Sequence, residues 1–227
     1  MSNPGRVALL VASLALAAVA TSPATAKQRH CHPKGTRTLL ENSSTTVFQG
    51  IESDSGGTVT IACHRATDER YYLADTADEE YVFPHSLRIK NKAVTWALDW
   101  SPNPDEPGRE TDVFVLRYLP NRVDSGGWAL VVDQRAGSQL QARVGSIVVR
   151  GSGAVAWIAC PFGHVPEGTL APTCTRAGRR DRVYRVHAGA ERRQLIARSR
   201  KIDPRSLRLN GVRMVWTQGT RSQSARL

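Results

Sequence analysis

Beyond residue 26 this 227-residue chain has no apolar run long enough to cross a membrane. It has no HExxH, no HxxxH, no Walker loop, no dinucleotide fingerprint and no CxxC pair. Those gaps remove the usual zinc peptidase, P-loop, nicotinamide and thiol-redox readings, because each of those chemistries needs its ligands or glycines at fixed spacings. An amphipathic helix is missing as well: ERRQLIARSRK at 191–201 carries arginine all round and is stopped by Pro204. Aromatic residues make up only 6% of the chain, and no cluster of exposed-looking ones interleaves its basic run as base stacking would require. No cofactor and no metal is expected.

The first 26 residues read as an export signal and are set aside from the fold. Arg6 precedes an apolar run of 14 residues, Val7–Ala20, and Ala24-Thr25-Ala26 supplies small residues at a cleavage site. Fourteen helical residues reach about 21 Å, short of a hydrocarbon core of about 30 Å. A secreted chain of residues 27–227, folded as one β-repeat domain with no membrane span, is the expectation. Four cysteines in an exported chain are read as two staples, Cys31–Cys63 and Cys160–Cys174. His30, His32 and His64 stand beside cysteines without zinc spacing.

Three segments repeat. SLRIKNKAVTW at 86–96, SIVVRGSGAVAW at 146–157 and SLRLNGVRMVW at 206–216 begin on serines 60 residues apart. Each is an alternating apolar run, a turn with Asn or Gly, and a second run ending in Trp96, Trp157 or Trp216. Period-two alternation is the signature of half-buried strands, and Asn210-Gly211 is expected to supply the positive φ values of a tight reversal. Further strand candidates follow at 112–119, 128–132, 182–187 and 194–197, with 58–65 and 71–75 in the same slots earlier. The expected fold is all-β, a small propeller-like repeat of about four blades, with a β-sandwich or open barrel as the alternative. The last unit shows three strands, and Arg37–Leu40 is expected to add the fourth and close the ring.

This order of strand phrases, with V-Y-R-V and DPRSLRL between units, resembles small secreted actinobacterial proteins with propeller-type repeats. The resemblance covers nearly all of the exported part. It implies a fold type and an extracellular location and carries over no catalytic residue.

Charge is the other strong feature. The net charge is +11, and residues 178–213 hold 12 Lys/Arg against 3 acids. Such a run either attracts a polyanion, such as a cell-wall polymer, or coats a solvated strand surface. DSGG occurs at 54–57 and 124–127 and resembles the serine-protease nucleophile motif, but neither copy has the glycine before Asp or the proline after the motif. Both copies are expected to be polar turns entering strands. The acid-rich DTADEE at 75–80 and the acids Asp105, Glu106, Glu110 and Asp112 could serve a glycosidase or calcium, though a calcium loop's D-x-D-x-D-G spacing is missing.

The reading that follows is a secreted non-catalytic binding protein that engages a ligand or an extracellular protein through loops or a central opening. Trp100, Arg179, Arg180, Arg192 and Arg193 are the expected binding residues. A secreted glycan hydrolase built on Asp/Glu pairs and a polyanion-binding basic protein are the alternatives.

Overall fold

Alternating side chains make strands here, and short polar turns return each strand to its neighbour. The computed structural model describes residues 31, 33–51, 56–78, 80–82, 84–100, 110–119, 123–129, 133–135, 138–140, 142–161, 174 and 180–227. The expected export segment lies outside these residues, as do His30, His32, Asp54, Ser55, Glu79, Asp105, Glu106 and Arg179. Eighteen strands and no α-helix occur among the described residues.

The first sheet is a meander of β1 (Arg37–Glu41), β2 (Thr45–Ile51), β3 (Thr58–His64) and β4 (Glu69–Asp75). The second contains β5 (Tyr81–Val82), β6 (Arg88–Lys90), β7 (Ala93–Trp100), β8 (Glu110–Tyr118) and β9 (Val123–Ala129). Both β5 and β6 pair with β7, so together they fill one strand position broken by the 3₁₀ turn Pro84–Ser86. A hairpin follows, β10 (Asp133–Arg135) with β11 (Ser138–Leu140). The third sheet is β12 (Ala142–Val149), β13 (Val155–Pro161), β14 (Asp181–Val186) and β15 (Gln194–Ser199). The fourth is β16 (Arg208–Asn210), β17 (Arg213–Gln218) and β18 (Arg221–Arg226). The fold is all-β, with four small antiparallel blade-like sheets, none closed into a barrel.

Burial of one aromatic per junction holds successive sheets together. Val47, Ala62 and Leu73 of the first sheet pack on Trp96, Leu98 and Leu116 of the second. Ala97 and Val113 of the second meet Ile147, Trp157 and Tyr184 of the third. Ala156, Ile158 and Val183 of the third meet Met214 and Trp216 of the fourth. Trp96, Trp157 and Trp216 are 3%, 0% and 4% exposed, so each repeated indole is packing, and each faces the sheet before its own.

Phe48 ends TTVF in the same slot and is equally buried. It packs with Val59, Ile61 and the Cys31–Cys63 pair. That disulfide covers the face of the first sheet that carries Phe48, Val59 and Ile61. Both expected disulfides form, with Cα–Cα separations of 5.6 Å for Cys31–Cys63 and 5.7 Å for Cys160–Cys174.

The expectation of a closing strand is corrected. Arg37–Leu40 pairs with β2, from Arg37↔Gln49 to Glu41↔Thr46, not with β18. Asn42 dictates this locally: its side-chain oxygen accepts hydrogen bonds from the N–H groups of Ser44 (2.8 Å) and Thr45 (2.9 Å), folding β1 straight back onto β2. The fourth sheet keeps three strands. Among the described residues no hydrophobic cluster joins it to the first.

Two turn expectations also change. Gly211 alone takes positive φ (57°), while Asn210 closes the ladder opposite Arg213; in the second sheet Asn91 takes that conformation (φ 54°). The second DSGG lies inside β9, paired along its length with β8 from Asp124↔Arg117 to Gly127↔Phe114. As an edge strand β9 bonds on one side only, which tolerates glycine, and Asp124 forms a 3.1 Å ion pair with Arg117 across the ladder.

The serines that open the repeats have a shared task. The Ser86 hydroxyl oxygen accepts a hydrogen bond from the Ala97 N–H, and Ser206 accepts one from the Thr217 N–H, each at 2.8 Å. Ser146, whose hairpin is one residue longer, donates to the Pro204 carbonyl (2.7 Å) and accepts from the Leu207 N–H (3.3 Å), tying the third sheet to the fourth. Each hydroxyl satisfies a backbone donor that a strand break would otherwise leave unpaired.

Candidate functional site

A cleft of about 440 Å³ opens between the outer strands of the first two sheets. One wall is β4 and the turn that leaves it: Tyr71, Tyr72 and Leu73, then Asp75, Asp78 and Glu80. The other is Trp96 and Leu98 of β7, Phe114 of β8, and Ser125 and Gly126 of β9. Trp96 and Phe114 stack with ring centroids 5.4 Å apart and planes 16° from parallel, making a firm apolar floor. Tyr72 is 61% exposed.

The acidic rim is built by its own backbone. Asp75 Oδ1 accepts from the Ala77 N–H at 2.8 Å, Glu80 Oε2 accepts from the Asp75 N–H at 3.1 Å, and the Glu80 N–H returns to the Asp75 carbonyl at 3.0 Å. Thr76 Oγ1 accepts from the Thr58 N–H at 2.8 Å and fixes the turn to β3. Burial raises the Glu80 carboxyl above its ordinary value, the hydrogen bond from Asp75 opposes this, and the charges of Asp78 and Asp75 add to it. No Lys, Arg or His lines the cleft among the described residues, so its sign is opposite to that of the chain as a whole.

This arrangement suits a donor-rich ligand with a flat apolar face. Carboxylate oxygens accept hydroxyl or amine protons, and the rings take the apolar face. For a metal the geometry is poor. Among the described residues the group of three potential ligands is Cys31, Cys63 and Asp68, whose two sulfurs are joined in the disulfide and so cannot act as thiolates. Asp75, Asp78 and Glu80 form no such group. His64 is buried against Tyr118, with centroids 5.2 Å apart, and one ring nitrogen meets the Thr67 hydroxyl at 3.0 Å. Burial lowers its pKa, the mark of a neutral packed ring.

The binding residues expected from the sequence are dispersed. Arg180 precedes β14 while Arg192 and Arg193 follow it, at opposite ends of a six-residue strand about 20 Å long. Arg180 and Arg192 are exposed; the Arg193 guanidinium lies 5.2 Å from the Tyr184 ring centroid. Trp100 ends β7 opposite Glu110. Arg180, Arg192 and Arg193 are not among the described residues that line the cleft. Sequence reasoning did single out Asp75, Asp78 and Glu80; it missed the aromatic wall, for which the adjacent pair Tyr71-Tyr72 on an edge strand was the available signal.

A second raised carboxyl lies elsewhere. Asp181 is pushed up to about 6 by burial and by the charge of Asp203. Because the folded chain holds this proton more tightly than the unfolded one, Asp181 takes nothing from stability below about pH 4 and destabilises progressively as pH rises through 6. Asp181→Asn is therefore expected to raise Tm at pH 7 and leave it unchanged at pH 4, measured by thermal melts across that range. Equal shifts at both pH values would show a packing effect instead.

No family model and no curated protein matches this chain. A solved chain from a structural and mechanistic analysis of two prolyl endopeptidases is similar to it with a TM-score of 0.30 and 10% identity. The alignment covers 83% of this chain and 33% of that one, so the chain spans about a third of its length. Neither the fold nor the chemistry described above draws on that likeness.

Proposed function

We propose that the protein is a secreted, non-catalytic binding protein that holds its ligand in the cleft between the first and second sheets. The observation that carries this reading is the cleft itself, with an exposed tyrosine and a stacked Trp–Phe floor on its walls and three acids at its rim. Export is supported by the apolar leader with its small-residue cleavage site and by two disulfides, which persist in oxidising compartments. No described helix is long and apolar enough to cross a membrane. The resemblance to small secreted actinobacterial repeat proteins agrees with this assignment. A glycan is the ligand class that best fits ring faces beside acceptor oxygens.

The test is a glycan array probed with the exported chain, residues 27–227, and with its Tyr72→Ala variant. The expected result is retention of a defined set of glycans by the parent and a loss of about tenfold or more in the variant, the usual effect of removing an interfacial tyrosine. Binding of no glycan, or equal binding by both chains, would sink the assignment.

One observation favours a second reading, glycan hydrolysis: three carboxylates meet in one cleft, and that of Glu80 is raised. A glycosidase needs two carboxyls facing each other across the sugar, about 5–10 Å apart. Here all three stand on one wall, oxygens of Asp75 and Glu80 are engaged by their own turn, and the opposite wall supplies Ser125 and Gly126. Release of reducing ends from a bound glycan would decide for hydrolysis.

A further inference from the structure

The last sheet has an outward face with an unusual composition. Strand alternation and register place Arg208, Asn210, Arg213, Ser222, Ser224 and Arg226 on the side away from the third sheet, since Met214 and Trp216 point into the third sheet's core. All six are exposed, and they surround Val215, which register puts on the same face and which is buried, and half-buried Thr217. Arg213 and Arg226 stand directly opposite each other in the ladder. Like charges so placed destabilise a strand pair, and no carboxylate offsets them, because Arg208, Arg213 and Arg226 make no ion pair among the described residues. Instead Arg213 is held along the sheet, its Nε and Nη2 donating to Ser224 Oγ at 3.2 and 2.8 Å. Two more arginines from the third sheet close on the same edge: Arg185 donates to the Arg226 carbonyl and Arg150 to the Leu227 carbonyl. Apart from Val215 the face is polar.

We propose that this face is a docking surface for a linear polyanion, an extracellular phosphodiester polymer with a polyol backbone. Charge complementarity selects a polyanion. Paired positions across the ladder lie about 5 Å apart and diagonal ones about 8 Å apart, so three guanidiniums can meet successive phosphates on one flat surface. Serine and asparagine between them offer hydrogen bonds to polyol hydroxyls. The outward positions hold no aromatic ring, so nucleobases would have nothing to stack on. This site is separate from the cleft and stands or falls independently of it.

The experiment titrates the exported chain with poly(glycerol phosphate), using poly-dT as the competitor. With about three phosphate contacts, affinity should fall roughly 20–40-fold between 50 and 200 mM NaCl. The triple variant Arg208→Gln/Arg213→Gln/Arg226→Gln should lose at least tenfold at 50 mM. A charge-matched triple away from the fourth sheet, Lys34→Gln/Arg37→Gln/Lys90→Gln, should lose less than threefold, with thermal melts confirming that both variants are folded. The charge-retaining Arg213→Lys/Arg226→Lys variant should keep most of the binding and covers the case in which the glutamine triple does not fold. Equal losses in both triples would show diffuse charge and overturn the proposal. Tighter binding of poly-dT, or no salt dependence, would overturn it as well.

Discussion

Trp157→Ala is expected to lower the free energy of unfolding by about 3–5 kcal/mol, the usual range for removing a fully buried tryptophan. Its indole is 0% exposed on the central strand β13 and fills the junction between the second and third sheets. There it lies against the Tyr184 ring, with centroids 5.6 Å apart, and packs with Ala97, Val113 and Ile147. Removing it leaves a cavity lined from two sheets, and neither can collapse without losing register with its own neighbours. Because domains of this size are stable by only about 5–15 kcal/mol in total, much of the molecule's stability should go. Urea unfolding followed by circular dichroism measures the loss. A change under about 1 kcal/mol would mean that the junction is not packed as described. Trp157→Phe, which keeps a ring, should lose markedly less.

The second large effect concerns the start of the stack. Cys31→Ser/Cys63→Ser should remove roughly 3.5–4 kcal/mol if the chain-entropy account holds for a bridge across 32 residues. The bridge also covers Phe48, Val59 and Ile61, which no other sheet shields among the described residues. Its loss should therefore bring dye binding characteristic of exposed apolar surface as well as a lower Tm. Unchanged Tm between the double variant and the oxidised parent would remove the capping role.

The legible part of this fold was the part written in local pattern. Alternation located the strands, the spacing of Ser86, Ser146 and Ser206 located the repeat, and Trp96, Trp157 and Trp216 proved to be core. Partner choice was not legible. Period two says which face of Arg37–Leu40 is apolar, but the Asn42 turn decides that its neighbour is β2. Glycines misled at Asp124–Gly127, where turn chemistry was expected and an edge strand was found. Phe48 went unnoticed because phenylalanine stands where the other three units have tryptophan. As for the cleft, its acids were visible as a run in the sequence, but its aromatic floor comes from residues 96 and 114, which only packing of the first sheet on the second brings to Tyr71 and Tyr72. The arginines at 180, 192 and 193 looked like one patch because they are close in sequence; a strand's length separates them.

Both proposed sites depend on how the sheets stack in chain order: among the described residues no hydrophobic cluster joins the fourth sheet to the first. The cleft needs the first junction, and the basic face needs an uncovered fourth sheet. Side-chain nuclear Overhauser contacts measure this most directly. Cross-peaks are expected from Trp96 to Val47, from Trp157 to Val113 and from Trp216 to Ile158, with none between Val215 and Phe48, Val59 or Ile61. Cross-peaks joining Val215 to those first-sheet residues would show a closed ring and contradict the account.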